Sequence, residues 1–365
     1  MRRCAVALAF LACACALGKS EYQRASERAS ATYVSGAYER AEHEWREAER
    51  LAESDRDRAE ARYRAAQCAE RSGDLERAAN ALQDLAVRWP EGERAPRAVF
   101  DAARIEERCD APARAIELYA RVFRTYPESA LATQAARRWL ALTAPTPAQR
   151  LVAIEKLLRE RTWSARLDEA LRYDRAKSLE AEHRLDEAAR AYGDLARRHP
   201  YPFGAYWDDA LYRRAELERQ RGRFEDALEA LQELLDAREE SKLSGTTERE
   251  RFAPAQFLKA QILRDDLNDV LAARRAFRVL YESFPTSRLR DDALWQEAKL
   301  ARAKSDEAAC DPLRLLLRDI PESRYARCAG HICPSLAKAS AAHGSCADYV
   351  LREIDALTNA KTRAE

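Results

Sequence analysis

The apolar positions of this chain fall at helical spacing, and the same spacing returns along its length. In DVLAARRAFRVLYESFPTSRLRDDALWQEAKL, which begins at Asp269, the residues Ala273, Phe277 and Leu280 share one helical face. Phe284 and Pro285 close that helix. Thr286 and Ser287 are placed to cap the next one, and Asp291 and Asp292 put negative charge in its early turns. Ala293, Leu294 and Leu300 form the second apolar stripe. The stretch predicts two helices joined by a short turn.

The phrase recurs. Pro90, Pro127, Pro200, Pro285 and Pro321 follow Trp89, Tyr126, His199, Phe284 and Ile320. Twelve residues before each proline stands Ala78, Ala115, Ala188, Ala273 or Ala309. Eight before stands Leu82, Tyr119, Tyr192, Phe277 or Leu313, and five before stands Leu85, Val122, Leu195, Leu280 or Leu316. Gly36 before Ala41 and Gly222 before Ala227 keep the frame without the proline, and Leu151, Ile154 and Leu158 mark a weaker unit. The anchors 41, 78, 115, 151, 188, 227, 273 and 309 are separated by 37, 37, 36, 37, 39, 46 and 36 residues. Such a period predicts an all-α solenoid of helix pairs. The long step holds Glu239 to Arg251, a polar run that predicts an inserted loop near 239–252.

The residue types suit that architecture. A small alanine lets two helices approach, and the larger residue one turn later fills the neighbour's groove. Burying each such side chain stabilises by roughly 1.5–3 kcal/mol. The proline has no N–H to continue the helix.

Composition agrees. The 365 residues are 47% hydrophobic and 34% charged, with ten glycines and few β-branched residues, which favours helix over sheet. Lys+Arg is 63 and Asp+Glu is 62, so no basic excess points to nucleic acid.

The first 18 residues, MRRCAVALAFLACACALG, read as a secretory signal: two arginines, a short apolar core, then small residues. Two maturation chemistries stay open. Ala12-Cys13-Ala14 and Ala14-Cys15-Ala16 are cleavage sites of A-x-A type, and Cys15 also lies in a sequence that resembles a degenerate lipobox, where it would be lipidated. The expected organisation is a signal at 1–18, a polar tether at 19–35, a solenoid of about eight helix pairs at 36–325, and a helical cap stapled by disulfides at 326–365. Ala144-Pro145-Thr146-Pro147 is a local interruption of the repeats.

Six cysteines lie beyond the signal region: Cys68, Cys109, Cys310, Cys328, Cys333 and Cys346. An even number in an exported chain predicts disulfides. The preferred pairs are Cys310–Cys328 and Cys333–Cys346, although four cysteines allow three pairings. Cys68 and Cys109, 41 residues apart, are expected to face each other across successive hairpins. His331 and His343 keep a metal site or an enzyme built on the C-terminal Cys/His cluster as the alternative, but no C-x-x-C knuckle or C-x-x-C-H is present. The densest aromatic cluster surrounds Tyr206, Trp207 and Tyr212, which are candidates to line a peptide-binding groove; ridge packing between helices is the competing account. The chain has no G-x-S-x-G, H-E-x-x-H or P-loop. The paired acids Asp208-Asp209, Asp265-Asp266 and Asp291-Asp292 read as capping or solvated charge.

The period, the alanine and aromatic positions and the closing proline resemble the tetratricopeptide repeat (TPR). Phe284-Pro285-Thr286-Ser287 followed by Asp292-Ala293-Leu294, with Tyr126-Pro127-Glu128-Ser129 and Ile320-Pro321-Glu322-Ser323, is similar to repeats of bacterial cell-envelope proteins, the BamD-like outer-membrane assembly lipoproteins and CpoB-like periplasmic coordinators. The resemblance implies a right-handed superhelical solenoid of antiparallel hairpins. It implies a scaffold without enzymatic activity or cofactor that binds envelope proteins or peptide segments in its concave groove. Localisation would be the periplasm, or the periplasmic face of the outer membrane, of a Gram-negative bacterium, with any membrane contact made through the lipid anchor. A purely structural subunit of an envelope complex is the remaining alternative.

Overall fold

A computed structural model of the protein describes residues 19–244, 249–302 and 305–364. The expected signal segment with Cys15, and residues 245–248 of the expected insertion, lie outside the described residues. Among the described residues there is no strand.

The chain is an all-α solenoid of helical hairpins. Four precede residue 162: α1–α2 (Glu21–Val34, Tyr38–Leu51), α3–α4 (Asp55–Ser72, Leu75–Arg88), α5–α6 (Ala95–Arg108, Pro112–Thr125) and α7–α8 (Ala132–Thr143, Pro147–Glu160). Four follow: α9–α10 (Ala165–Ala181, Leu185–Arg198), α11–α12 (Trp207–Gln220, Phe224–Ser244), α13–α14 (Phe252–Gln261, Val270–Ser283) and α15–α16 (Arg290–Arg302, Asp306–Asp319). The chain divides into two compact units, one ending at Leu171 and one beginning at Arg172. Within the first unit consecutive helices from α1 to α7 pack on one another, and within the second the same holds from α10 to α16.

Each anchor alanine sits on the second helix of its hairpin. Ala41, Ala78, Ala115, Ala188, Ala227, Ala273 and Ala309 are all fully buried. Tyr119, Tyr192, Phe277 and Leu313, one turn on, are fully buried too. The second helix ends where the proline requires it: Trp89, Tyr126, His199, Phe284 and Ile320 are the C-caps, and Pro90, Pro127, Pro200, Pro285 and Pro321 follow them. In the loop beyond, Ser129 and Ser287 donate their N–H to the C-cap carbonyl and accept the N–H two residues on. Ser287 therefore shapes the turn, and α15 starts three residues later.

The turn between paired helices has its own signature. Five residues before an anchor alanine the backbone is left-handed: Gly36 (φ 85°), Gly73 (φ 93°), Asp110 (φ 55°), His183 (φ 56°), Gly222 (φ 73°) and Asn268 (φ 54°). Glycine suits this position, and three of these six turns hold it with a residue that carries a Cβ.

Two expected boundaries change. Residues 19–35 are no tether: Ser20 caps α1 in a capping box with Gln23, and Ala25 and Ala29 are buried with Ala41, Trp45 and Ala48. Helix α1 is the first helix of the hairpin whose second helix holds Ala41, so the repeats begin at Glu21. The expected loop near 239–252 is helical at both ends, because α12 continues to Ser244 and α13 starts at Phe252. At the interruption near Pro145, Thr146 caps α8 with a capping box to Gln149.

After α16 the chain makes short turns. They include α17 (Ala329–Ile332) and α18 (Ala337–Ala341), and they lead to α19 (Asp348–Ala364). A Cβ on Gly330 would lie 2.7 Å from the Ala337 Cα, so glycine permits α17 and α18 to touch. This fold-back overturns the expected cysteine pairing. Cys310 on α16 bonds Cys333 at the end of α17, with Cα atoms 5.3 Å apart, and Cys328 bonds Cys346 at 4.7 Å. Cys68 and Cys109 are not bonded. Cys68 is buried on α3 among Ala41, Trp45 and Ala65, whereas Cys109 is the exposed C-cap of α5. One period after Cys68 stands Ile105, so the extra turn carries Cys109 off the helix end.

Candidate functional site

The three expected groove aromatics separate. Trp207, the first residue of α11, is buried in the core with Leu211, Ala215 and Ala227, so it lines no groove. Gly204 sets this: a Cβ there would lie 2.0 Å from the His199 carbonyl oxygen, and only the tight turn that glycine allows drops the indole inward. Tyr206 and Tyr212 stay half-buried at the surface. The Tyr206 ring stacks on Tyr173 of α9 at 4.5 Å, and the Arg251 guanidinium lies over Tyr212 at 4.9 Å.

Around them the first helices of neighbouring hairpins are tied by buried or half-buried polar pairs. Tyr173 donates its hydroxyl to Asp209 of α11, which also accepts Arg251. Asp208 accepts Arg249 at 2.9 Å. Burial and the Asp209 carboxylate raise the Tyr173 hydroxyl above its usual value. The first unit repeats the device between α3 and α5. Tyr63 donates to Asp101 at 2.6 Å, Arg97 donates to the same carboxylate at 2.9 Å, and burial with that bond pushes Tyr63 up to about 12. A second pair also recurs: Tyr119 donates to Glu107 and Tyr192 to Glu180, each at 2.9 Å.

The paired acids are therefore more than caps. Asp208 and Asp209 hold the chain entering α13, Asp291 accepts Ser323 at 2.8 Å, and Asp292 accepts Arg324 and the Tyr325 hydroxyl at 2.7 Å. Asp265 and Asp266 lie in a π-helical turn and pair with Arg219 of α11. An open cleft of ≈ 1190 Å³ lies between Ser54 and Arg94, and two more lie beside these links, ≈ 580 Å³ between Pro285 and Arg324 and ≈ 420 Å³ between Ala205 and Arg251. Each lies where the start of one first helix meets the loop that follows its own hairpin.

The last cleft has a neighbour that sequence reasoning passed over. Phe203 is 93% exposed. The flanking carbonyls of Pro202 and Gly204 each accept Arg249 at 2.8 Å, and the guanidinium lies over Tyr201 at 5.3 Å. The ring is thus displayed on a pinned loop. Its signal was the Tyr201-Pro202-Phe203-Gly204 run; the arginine that pins it lies 46 residues later, inside the expected insertion.

This arrangement suits recognition. The carboxylates are engaged by arginine or tyrosine, and the tyrosines are held neutral. At the C-terminus the four sulfurs of Cys310, Cys328, Cys333 and Cys346 are consumed by disulfides, which removes them as metal ligands for the alternative built on His331 and His343.

The family comparison agrees with the fold. The tetratricopeptide-repeat profile matches residues 26–93, 71–130, 173–242 and 212–288, more than half of the chain. Among curated proteins none matches it in sequence. The crystal structure of PilW, a widely conserved type IV pilus biogenesis factor, aligns at 16% identity over 65% of this chain and 98% of its own, with a TM-score of 0.38. The C-terminal part of a TPR repeat-containing protein from Cytophaga hutchinsonii aligns at 12% identity over 73% and 98%, with a TM-score of 0.45. The TPR2AB domain of yeast Sti1, in complex with pHSP90, aligns at 13% identity over 77% and 98%, with a TM-score of 0.29. The chain belongs to the tetratricopeptide-repeat family, a scaffold fold for protein interaction.

Proposed function

We propose that the protein is a non-enzymatic scaffold of the bacterial cell envelope that holds a segment of a partner protein along its first-helix face. The observation that carries the docking role is Phe203, a large exposed ring on a loop fixed by Arg249 beside the Ala205–Arg251 cleft. An aromatic ordered before contact loses little entropy on binding and serves as an anchor. The partner accordingly presents an apolar pocket for this ring and polar groups for the arginines and carboxylates around it.

Export is supported by the two disulfides, which persist in oxidising compartments, together with the N-terminal sequence pattern. In this reading the mature chain lies in the periplasm or on the periplasmic face of the outer membrane, and Cys15 is its lipid anchor.

Placing a photo-crosslinking side chain at position 203 of the full chain in its native cells tests docking. A single envelope partner, lost when Arg249 is changed to alanine, supports the proposal; capture that is indifferent to Arg249 removes it. Mass measurement of the mature N-terminus checks the anchor. A thiol count on denatured, unreduced mature protein checks the compartment: the expected count is two, from Cys68 and Cys109, and a count of six would refute export.

A further inference from the structure

A second surface lies within the second unit, between the second helices of two successive hairpins. Helices α12 and α14 flank a groove of ≈ 440 Å³ whose floor is α13. Its apolar lining includes Leu235, Leu263, Ala276 and Val279. Val279 is 42% exposed, and Leu271, two turns earlier on α14, is 61% exposed. The groove is open for a reason visible in the repeat frame. Val279 stands six residues after its anchor Ala273. The same offset from Ala115 is Arg121, which reaches across from α6 to donate to the Ala86 carbonyl on α4 at 3.4 Å. A valine in that place spans nothing.

The groove lining carries three cations, Arg238, Lys259 and Arg275, against one carboxylate, Asp236. Lys259 on the floor is half-buried, and its ammonium donates to Gln232 Oε1 at 2.6 Å. Burial pulls the lysine below its usual pKa, against the opposing pull of Asp236. Asp236 in turn accepts the Gln232 amide at 2.6 Å. Arg275 is exposed on α14. Among the described residues no carboxylate comes within ion-pair distance of Lys259 or Arg275. Arg238 closes one end, its guanidinium 3.8 Å from the centre of the Phe284 ring and bonded to the Ser283 carbonyl. In a chain where arginines are widely paired with acids, three cations against one carboxylate beside exposed aliphatic side chains make a lining suited to an anionic partner.

We propose that this groove binds an acidic amphipathic segment of a partner protein, with apolar side chains on Leu263, Ala276 and Val279 and carboxylates on Lys259 and Arg275. A carboxylate that reaches a partly desolvated ammonium forms a charge-assisted hydrogen bond stronger than one made in open water. The aliphatic lining favours a peptide over a nucleic-acid strand, whose bases would seek aromatic faces. This surface is independent of the Phe203 loop.

Fluorescence anisotropy on the full-length protein tests the proposal with three labelled probes: an amphipathic peptide of leucine and glutamate at helical spacing, its leucine–lysine counterpart, and a single-stranded oligothymidylate. The glutamate peptide binds, and Arg275→Glu and Val279→Glu each weaken it about tenfold or more, while Phe203→Ala leaves it unchanged. Arg275 is exposed, so its variant keeps the fold, which a thermal melt verifies. Binding of the lysine peptide or the oligothymidylate as tightly as the glutamate peptide overturns the proposal. So do wild-type affinity in both variants and the absence of any binding by the glutamate peptide.

Discussion

The hairpins and the C-terminal cap solve one problem in two ways. A helix pair has an apolar face that it cannot cover alone. In the hairpins the cover is the next hairpin, docked through a fully buried alanine at a fixed position. After α16 the described residues form no further hairpin, and Ala326, Ala329, Ile332, Val350 and Ile354 close the core from short turns and a terminal helix. Short turns have few internal hydrogen bonds to keep them ordered. Two disulfides hold them, and Lys299 and Trp295 of α15 both reach Glu353 of α19. Repetition thus supplies order in one region, and covalent restraint supplies it in the other.

The largest effect should come from the cap. Changing Cys328 and Cys346 together to serine is expected to cost about 2–4 kcal/mol. Amide exchange should accelerate between residues 326 and 354 and stay unchanged in α3 to α6. Equal acceleration in both regions would break the contrast. Next, Ala273→Leu should overpack a hairpin crossing and cost about 1–3 kcal/mol, lowering the melting temperature with both disulfides intact. An unchanged melting temperature would show that the small residue is not what lets the helices meet.

A third test uses pH. Burial and the bonds to Asp101 and Glu107 push Tyr63 and Tyr119 up to about 12. The folded state therefore favours the neutral phenol. Its contribution is fully present below the unfolded pKa of about 10 and is lost as pH rises through about 12. Denaturant midpoints should fall across that window, and Tyr119→Phe should flatten the fall. A midpoint indifferent to alkali would argue that these hydroxyls are not tied. The smallest effect is expected at the turns. His183→Gly should stabilise by about 1 kcal/mol or less, since glycine relieves the left-handed backbone that histidine now bears. Destabilisation there would point to a contact of the imidazole that outweighs the strain.

How far the chain can be read without coordinates depends on the reach of each interaction. The anchor alanines, the closing prolines and the glycine turns act within one hairpin and repeat, so spacing reveals them. Helix α1 escaped because its buried stripe is mainly Ala25 and Ala29, too weakly apolar to stand out from a polar segment. For Trp207 the sequence left groove lining and ridge packing both open, because aromatic density does not say which way a ring points; its burial in the core fits ridge packing. Tyr173 with Asp209, and Tyr63 with Asp101, are separated by 36 and 38 residues. Such pairs meet only once the offset between stacked hairpins is set. Phe203 with Arg249 depends in addition on the chain returning after an irregular step.

By itself the amino-acid order determined the helices, their pairing and the repeat, because a period near 37 residues places small and large side chains on faces that can bury only against one another. Only tertiary structure decided which cysteines join, which aromatics face outward, and which carboxylates hold which arginines. Those outcomes rest on distances between residues far apart in the chain, and such distances arise from packing after the local pattern has been satisfied.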